Sequence, residues 1–288
     1  MLLTARPDLA ANRRLAEAAD GLGIQLLVVD SAHVVAASGP APALLWGGRD
    51  LLEDPPGAVL ARVGNWRPES VLAALETAVR GKVATPNPPD AIRSGRDHWR
   101  SVHLLDGAGL PVPATVAGAD PEQLARAAAS RCGFPCVVKQ RRSRMGTGVI
   151  RCDAQDHLEA VLDSLWRVGD EVVVQQYVET AGTSLRLLVV GGEIAAAARF
   201  TAAPGEWRSN AARGATAAAH TPTPGERELA VEAASVLGLG QCGVDLLSGD
   251  RTVVVEVNPT PGFCHLEAAT GVDVAGAMVA HAVAMSSD

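Results

Sequence analysis

Gly243-Val244-Asp245-Leu246-Leu247, then Ser248-Gly249-Asp250-Arg251, then Val253-Val254-Val255-Glu256-Val257-Asn258 is the stretch whose reading decides the fold. Two apolar runs flank a polar link that contains glycine, which predicts two neighbouring paired strands. Each run carries one acid. A carboxylate set in an apolar strand is costly unless it is paired or bound to a metal. Asn258 stands two residues after Glu256 and so shares its face. Asp245, Glu256 and Asn258 then offer three oxygen donors to one space, and hard oxygen ligands suit Mg²⁺ bridged to nucleotide phosphates. Both acids could instead be structural ion-pair partners; for one alone that reading wins, and for the triple the cost of burying two like charges favours a cation.

Upstream, 136–140 reads as a strand ending near Lys139, and 149–152 as a returning strand. Between them the loop 141–148 is polar, basic and glycine-bearing, so its backbone N–H groups and cations are expected to cover phosphates. It lacks the Gly-Lys-Ser/Thr that opens a helix in a phosphate-binding loop of the Walker type. Taken alone it is equally a solvated basic hairpin tip. Strands are expected over 171–177, 185–190 and 193–200, the last two joined by Gly191-Gly192 as a hairpin. Helices are expected over 121–131, with Asp120 as cap and Pro121 in the first turn, and over 156–166, 223–238 and 275–284. Arg186, Arg208 and Arg213 stand in polar settings, and a guanidinium fork fits phosphate or carboxylate. Singly they read as surface charges.

The first 90 or so residues alternate helix and strand signals: a helix over 12–22, a strand over 24–29, a strand over 59–63 and a helix over 70–80. That pattern predicts a small doubly wound α/β lobe. Thr85-Pro86-Asn87-Pro88-Pro89-Asp90 then breaks the chain with three prolines. A helix over 96–106 and a short strand over 111–116 follow. The organisation expected is an N-terminal lobe over 1–88, a central lobe over 89–174 and a C-terminal lobe over 175–288.

Composition sets outer bounds. Of 288 residues, 48% are hydrophobic and 20% charged, so a sizeable core is expected; with 3% aromatics it must be built from Ala, Val and Leu. A formal charge of −7 argues against a nucleic-acid partner. No apolar run approaches the roughly 20 residues of a membrane span, and the first residues are too quickly polar for a secretory leader, so the cytoplasm is expected. Five cysteines at irregular spacing make a poor disulfide framework and read as buried thiols.

In order along the chain, "VVKQRRSRMGTGVI" (137–150), "QQYVETAGTSLRLLVVGGEIAAAA" (175–198), "RSNAARGA" (208–215), "GVDLL" (243–247), "VVEVNPTPGF" (254–263) and "TGVDVAG" (270–276) resemble the RimK-type ATP-grasp ligases, with the amino-group-carrier ligases of lysine biosynthesis as a second resemblance. The likeness covers about 96–284. It implies an α/β (α+β) ATP-grasp fold with a Rossmann-like N-terminal domain. It implies ATP and Mg²⁺, with Mn²⁺ as a substitute. Lys139 would contact phosphates, and Gln175, Gln176, Tyr177 and Val178 would line the adenine chiefly through backbone groups. Arg208, Ser209 and Asn210 would reach the triphosphate, Arg186 and Arg213 would steady the phosphates and an acyl phosphate, and Asp245, Glu256 and Asn258 would hold the metal. The implied reaction joins a carboxylate, such as an amino acid's, to the amine of a peptide or small molecule, in a dimer or tetramer. Two positions depart from the pattern. Ser184 replaces the acid that holds the ribose, with Glu179 a compensating neighbour, and His98 replaces a lysine that contacts ATP. The basic loop 141–144 would offset that lost cation. These departures keep open an alternative, a nucleotide-binding regulatory module without ligase turnover.

Overall fold

The computed structural model describes residues 1–142 and 148–286. The core of the phosphate-covering loop expected from the sequence, 143–147, lies outside them.

The N-terminal part contains a parallel sheet in the order Val28–Asp30, Leu2–Thr4, Leu60–Arg62. Its strands are three residues each, so the strand expected over 24–29 shortens to its last two residues plus Asp30. The first strand had not been anticipated; Leu2 and Leu3 are fully buried, to opposite faces of the sheet. Helices Ala10–Gly21 and Pro68–Arg80 cover it, the latter through Val71, Leu72, Ala74, Leu75 and Ala78 at helical spacing. A second sheet was also missed: Val35–Ala37, Ala43–Trp46 and Arg49–Asp50, all antiparallel. Its tight turn is Gly47-Gly48, both with positive φ, as a two-residue hairpin loop requires.

The expected helix over 96–106 is His98–Gly107, which starts after Asp97; a further helix, Pro89–Arg96, precedes it and was not expected from the sequence. Asp97 takes an extended conformation and caps the second helix, accepting from the Arg100 N–H at 3.1 Å. Both oxygens of its buried carboxylate also accept from the one Arg141 Nε, at 2.9 and 2.8 Å, which ties this helix to the end of strand Cys136–Gln140. Burial alone would raise the Asp97 pKa, but Arg141 and the Arg100 N–H hold it lowered.

Two antiparallel sheets form the rest. One has the order Thr115–Ala117, Val172–Gln176, Cys136–Gln140, Val149–Cys152, with helices Pro121–Arg131 and Gln155–Arg167 packed on it. Asp120 caps the first of these as expected, accepting from the Gln123 N–H at 2.8 Å. The other has five strands in the order Thr216–Ala219, Glu193–Thr201, Thr183–Val190, Gln241–Ser248, Thr252–Asn258. Gly191-Gly192 makes its hairpin turn, again with two positive φ values. Alternation sorts this sheet's side chains. Leu185, Leu187, Val189, Val244 and Leu246 bury against helix Pro224–Val236, which opens with a complete Thr223–Glu226 capping box. Leu188, Val190, Ala198 and Phe200 bury on the opposite face against helices Cys264–Thr270 and Val274–Ala284. That second face is apolar at one end and polar at the other, where Ser184 and Arg186 stand. No single helix among the described residues is long and apolar enough to cross a membrane.

Candidate active site

The register of the five-stranded sheet places Arg186 opposite Asp245 and Asp245 opposite Glu256. Asn258 pairs with Gly243, two positions along from Asp245. The two acids expected on neighbouring strands are therefore direct cross-strand partners, on the polar end of one sheet face. Arg186 grips Asp245 with two hydrogen bonds, Nε to Oδ1 and Nη2 to Oδ2, each 2.6 Å. Burial pushes the Asp245 pKa up; Arg186 and Lys139 oppose this, and the neighbouring Glu256 reinforces it.

A cleft of about 900 Å³, its open mouth included, runs from these acids between the two antiparallel sheets. Asp245 and Glu256 mark one end. Lys139 projects from strand Cys136–Gln140 on the opposite wall, its Nζ donating to Gln175 Oε1 at 2.6 Å. Gln175 in turn donates to Thr115 Oγ at 3.0 Å, which fixes the amide. Burial lowers the Lys139 pKa, and Glu256 and Asp245 oppose that shift. The crossing segment Gln176, Tyr177 and Val178 forms the connecting wall.

Arg208, Ser209 and Asn210 line the cleft from an irregular segment between two strands of the five-stranded sheet. Glu206 organises that segment. It accepts from the backbone N–H of Trp207 and Arg208 at 2.9 and 3.0 Å, and takes the Arg208 fork at 2.9 Å on each oxygen. The Arg208 fork holds its pKa down at about 2. Arg208 Nη1 also donates to Val149 O at 3.1 Å, joining the segment to the hairpin of the other sheet.

Three of the expected residues do not line the cleft. Arg186 stands behind Asp245. Arg213 approaches Glu206 at 3.6 Å. Asn258 turns its Oδ1 to the Thr260 N–H at 2.9 Å, which closes the turn after the strand. Ser184 does line the cleft, accepting from Ser209 Oγ at 2.6 Å. Glu179, expected to compensate for it, accepts instead from Ala181 N–H at 2.8 Å and is not on the wall. His98 is on the wall, but Arg141 beside it is engaged with Asp97 rather than with the cleft.

Two contributors were missed from the sequence. Trp207 lines the cleft and meets Tyr177 edge-to-face, with centroids 5.7 Å apart; Arg208 lies over the Trp207 ring and Arg151 over Tyr177. A tryptophan in a polar, glycine-rich segment with little core to join was the available signal. The other is Glu206. Glu206→Gln is expected to weaken ATP binding about tenfold, since it removes the charge that aims Arg208. An ATP titration measures this. The depressed carboxyl contributes above its unfolded pKa, near 4.5, and the contribution disappears only as pH falls toward about 2. The loss in the variant is therefore expected to be constant between pH 6 and 8.

The carboxylates fit a divalent cation. Each ionised carboxylate has about four lone-pair sites, so Asp245 retains acceptor capacity beyond the Arg186 fork. Asp245 and Glu256 are the two acids on the cleft wall, and among the described residues no group of three or more His, Cys, Asp or Glu side chains could hold a metal.

Two antiparallel sheets closing on a cleft, with acids on one and a lysine on the other, define an ATP-grasp protein. Residues 95–282 match the RimK-like ATP-grasp domain, and the chain belongs to that family of ligases. A curated relative, the "Probable alpha-L-glutamate ligase" of Azotobacter vinelandii, is 36% identical over 96% of this chain and 93% of its own. A solved structure, the "RimK domain protein ATP-grasp from Sphaerobacter thermophilus", is 27% identical, with a TM-score of 0.75 over 98% of each chain. The fold is shared with the ATP-grasp ligase PsnB, solved with a minimal precursor, at a TM-score of 0.77, covering 99% of this chain and 97% of that one at 22% identity.

Proposed function

We propose that the protein is an ADP-forming carboxylate–amine ligase that binds Mg-ATP in this cleft, acts in the cytoplasm, and joins an amino acid such as glutamate to a peptide or small molecule. The observation that carries the reading is the convergence of Asp245, Glu256, Lys139 and Arg208 on one cleft whose wall is the segment 175–178. In this reading the lobes are 1–88, 89–174 and 175–288. Backbone groups of 175–178 meet the adenine, and Trp207 closes over it. Lys139, Arg208, Ser209 and Asn210 hold the phosphates. Mg²⁺, or Mn²⁺ in its place, supplies positive charge between the phosphate oxygens when bound by Asp245, Glu256 and Asn258. Arg186 fixes the Asp245 carboxylate toward that ion, and Arg213 backs Glu206. A substrate carboxylate attacks the γ-phosphate to give an acyl phosphate and ADP; an amine then displaces phosphate. No protein nucleophile is needed. A homo-oligomer of two or four copies belongs to the same reading; Val35 and Leu45, cross-strand neighbours on the small sheet, are exposed apolar surface for it.

A screen of amino acids and amines for ADP release tests the proposal. Hydroxylamine, supplied with the accepted carboxylate and Mg-ATP, is expected to trap the anhydride as a hydroxamate alongside ADP and phosphate. AMP and pyrophosphate would instead mean acyl-adenylate chemistry. Ser184 and His98 favour the second reading, a nucleotide-binding regulator, which predicts ATP binding with no amine-dependent ADP release.

The ribose end gives a separate expectation. Ser184→Asp tightens ATP binding several-fold, because a carboxylate at this position on the cleft wall accepts ribose hydroxyls more strongly than a neutral hydroxyl. Ser209 Oγ, already donating to position 184, can also donate to the new carboxylate. Equal or weaker binding in a titration would show that another group holds the ribose.

A further inference from the structure

Arg62 ends the edge strand of the parallel sheet, and the carboxyl ends of such strands are where ligands approach an open α/β sheet. It is half-buried, and burial lowers its pKa to about 10, so it remains a cation near neutrality. Withdrawing a charge from water is costly unless it is paired and hydrogen-bonded. Arg62 forms no ion pair among the described residues. Its partners are neutral: Nη2 donates to Pro261 O at 2.8 Å and Nε to Asn12 Oδ1 at 3.3 Å. The guanidinium stands 5.7 Å from the centroid of the fully buried Phe263 ring, which helps fix the plane of the fork. A guanidinium has five N–H donors, so these contacts leave part of the fork unspent. Nearby cations differ: Arg14 is neutralised by Glu267 and Asp273, and Arg186 by Asp245.

The position connects Arg62 to the proposed chemistry. Pro261 lies three residues past Asn258, on the loop that leaves the strand of Glu256. It packs on Gly243, where an added Cβ would stand 3.1 Å from Pro261 Cβ and 3.9 Å from Arg186 Cδ. Asp245 is on the cleft wall, whereas Arg186, Pro261 and Arg62 are not. Arg62 is thus linked through Pro261, Gly243 and Arg186 to Asp245 at the acid end of the cleft.

We propose that Arg62 anchors a carboxylate of the organic substrate that is held but not phosphorylated. The assignment rests on the ligase reading. A dicarboxylic amino acid, or a peptide ending in one, keeps at least one free carboxylate while another group reacts. That charge needs a fixed partner, and a planar fork backed by Phe263 matches its geometry bidentately.

Calorimetric titration of the full chain with a non-hydrolysable Mg-ATP analogue present tests this. The probes are L-glutamate and a tripeptide ending in glutamate, the latter with a free or an amidated C-terminus. Arg62→Gln is expected to weaken the carboxylate probe about 10- to 100-fold, with nucleotide affinity unchanged. Arg62→Lys, which keeps charge but not the fork, is expected to restore part of the loss and to decide the matter if Arg62→Gln does not fold. Binding of free glutamate identifies an amino-acid source; binding only of the peptide with a free end identifies a C-terminal one. If no probe binds wild type more tightly than the variants, or nucleotide and probe weaken together, the anchor is overturned. Arg62-dependent binding without amine-dependent ADP release would instead sink the ligase reading and leave the anchor standing.

Discussion

Glu256→Gln and Asp245→Asn are each expected to lower Mg-dependent ATP turnover by about 10²- to 10³-fold or more, with the protein still folded. The two acids are direct cross-strand partners at the end of the cleft, so either substitution removes a charge from the same small space. They differ in their side effects. Asp245→Asn also strips Arg186 of the carboxylate that it grips and leaves a buried guanidinium facing an amide. Glu256→Gln leaves that pair intact and removes a like charge from beside Asp245, so the Asp245 pKa falls toward its ordinary range. A group whose folded pKa is raised above its unfolded value costs stability once pH exceeds the unfolded value. Glu256→Gln is therefore expected to match or exceed wild type in Tm at pH 7, while Asp245→Asn falls below it. The Mg²⁺-dependent rise in Tm seen with ADP present is lost in both. Normal turnover in both variants would remove the metal assignment.

The acids were legible because charge inside an apolar strand is a local contradiction that sequence alone displays. Gly191-Gly192 and the Asp120-Pro121 helix start were legible for a similar reason: the turn or cap is written in adjacent residues. Gly47-Gly48 carried the same turn signal, but its flanking strands are only four and two residues long, too short to show a period. The helix Pro89–Arg96 was hidden because the prolines at 86, 88 and 89 read as a break in the chain, and the pairing of the Asp97 carboxylate with Arg141, 44 positions away, carried no local signal. Long-range pairing of this kind also explains the three residues that sit off the cleft. The family resemblance placed Arg186 among the groups that steady the phosphates, whereas the residue alone read as a surface charge. In the folded sheet its register opposite Asp245 commits it to that acid. Arg213 and Asn258 were likewise assigned by their neighbours in sequence, and the structure turns them toward Glu206 and Thr260. Glu206 had no local signature at all, because its importance lies in gathering two backbone N–H groups and a guanidinium within one irregular segment.

That gathering makes the Arg208 fork the second large effect. Arg208→Ala is expected to lower kcat about 10²-fold or more while weakening ATP binding by far less. The reason is placement. The guanidinium is held by both Glu206 oxygens and by Val149 O of the facing hairpin, so its position is set before substrate arrives. A fixed cation shielded from bulk water stabilises the charge that gathers on a transferring phosphoryl group more than the charge of bound ATP. Arg213 stands 3.6 Å from the same Glu206 oxygen that accepts from Arg208 Nη2, and so is placed to act through that acid. Arg213→Ala is thus expected to cost less than Arg208→Ala, and to cost nothing further when Glu206 is already Gln. Steady-state kinetics on the two single variants and the Glu206→Gln, Arg213→Ala pair measures both the split between kcat and KM and the coupling. Equal losses in KM and kcat/KM for Arg208→Ala, with kcat untouched, would make it a ground-state phosphate ligand only. Additive losses in the pair would mean that Arg213 has its own contact with the reacting group.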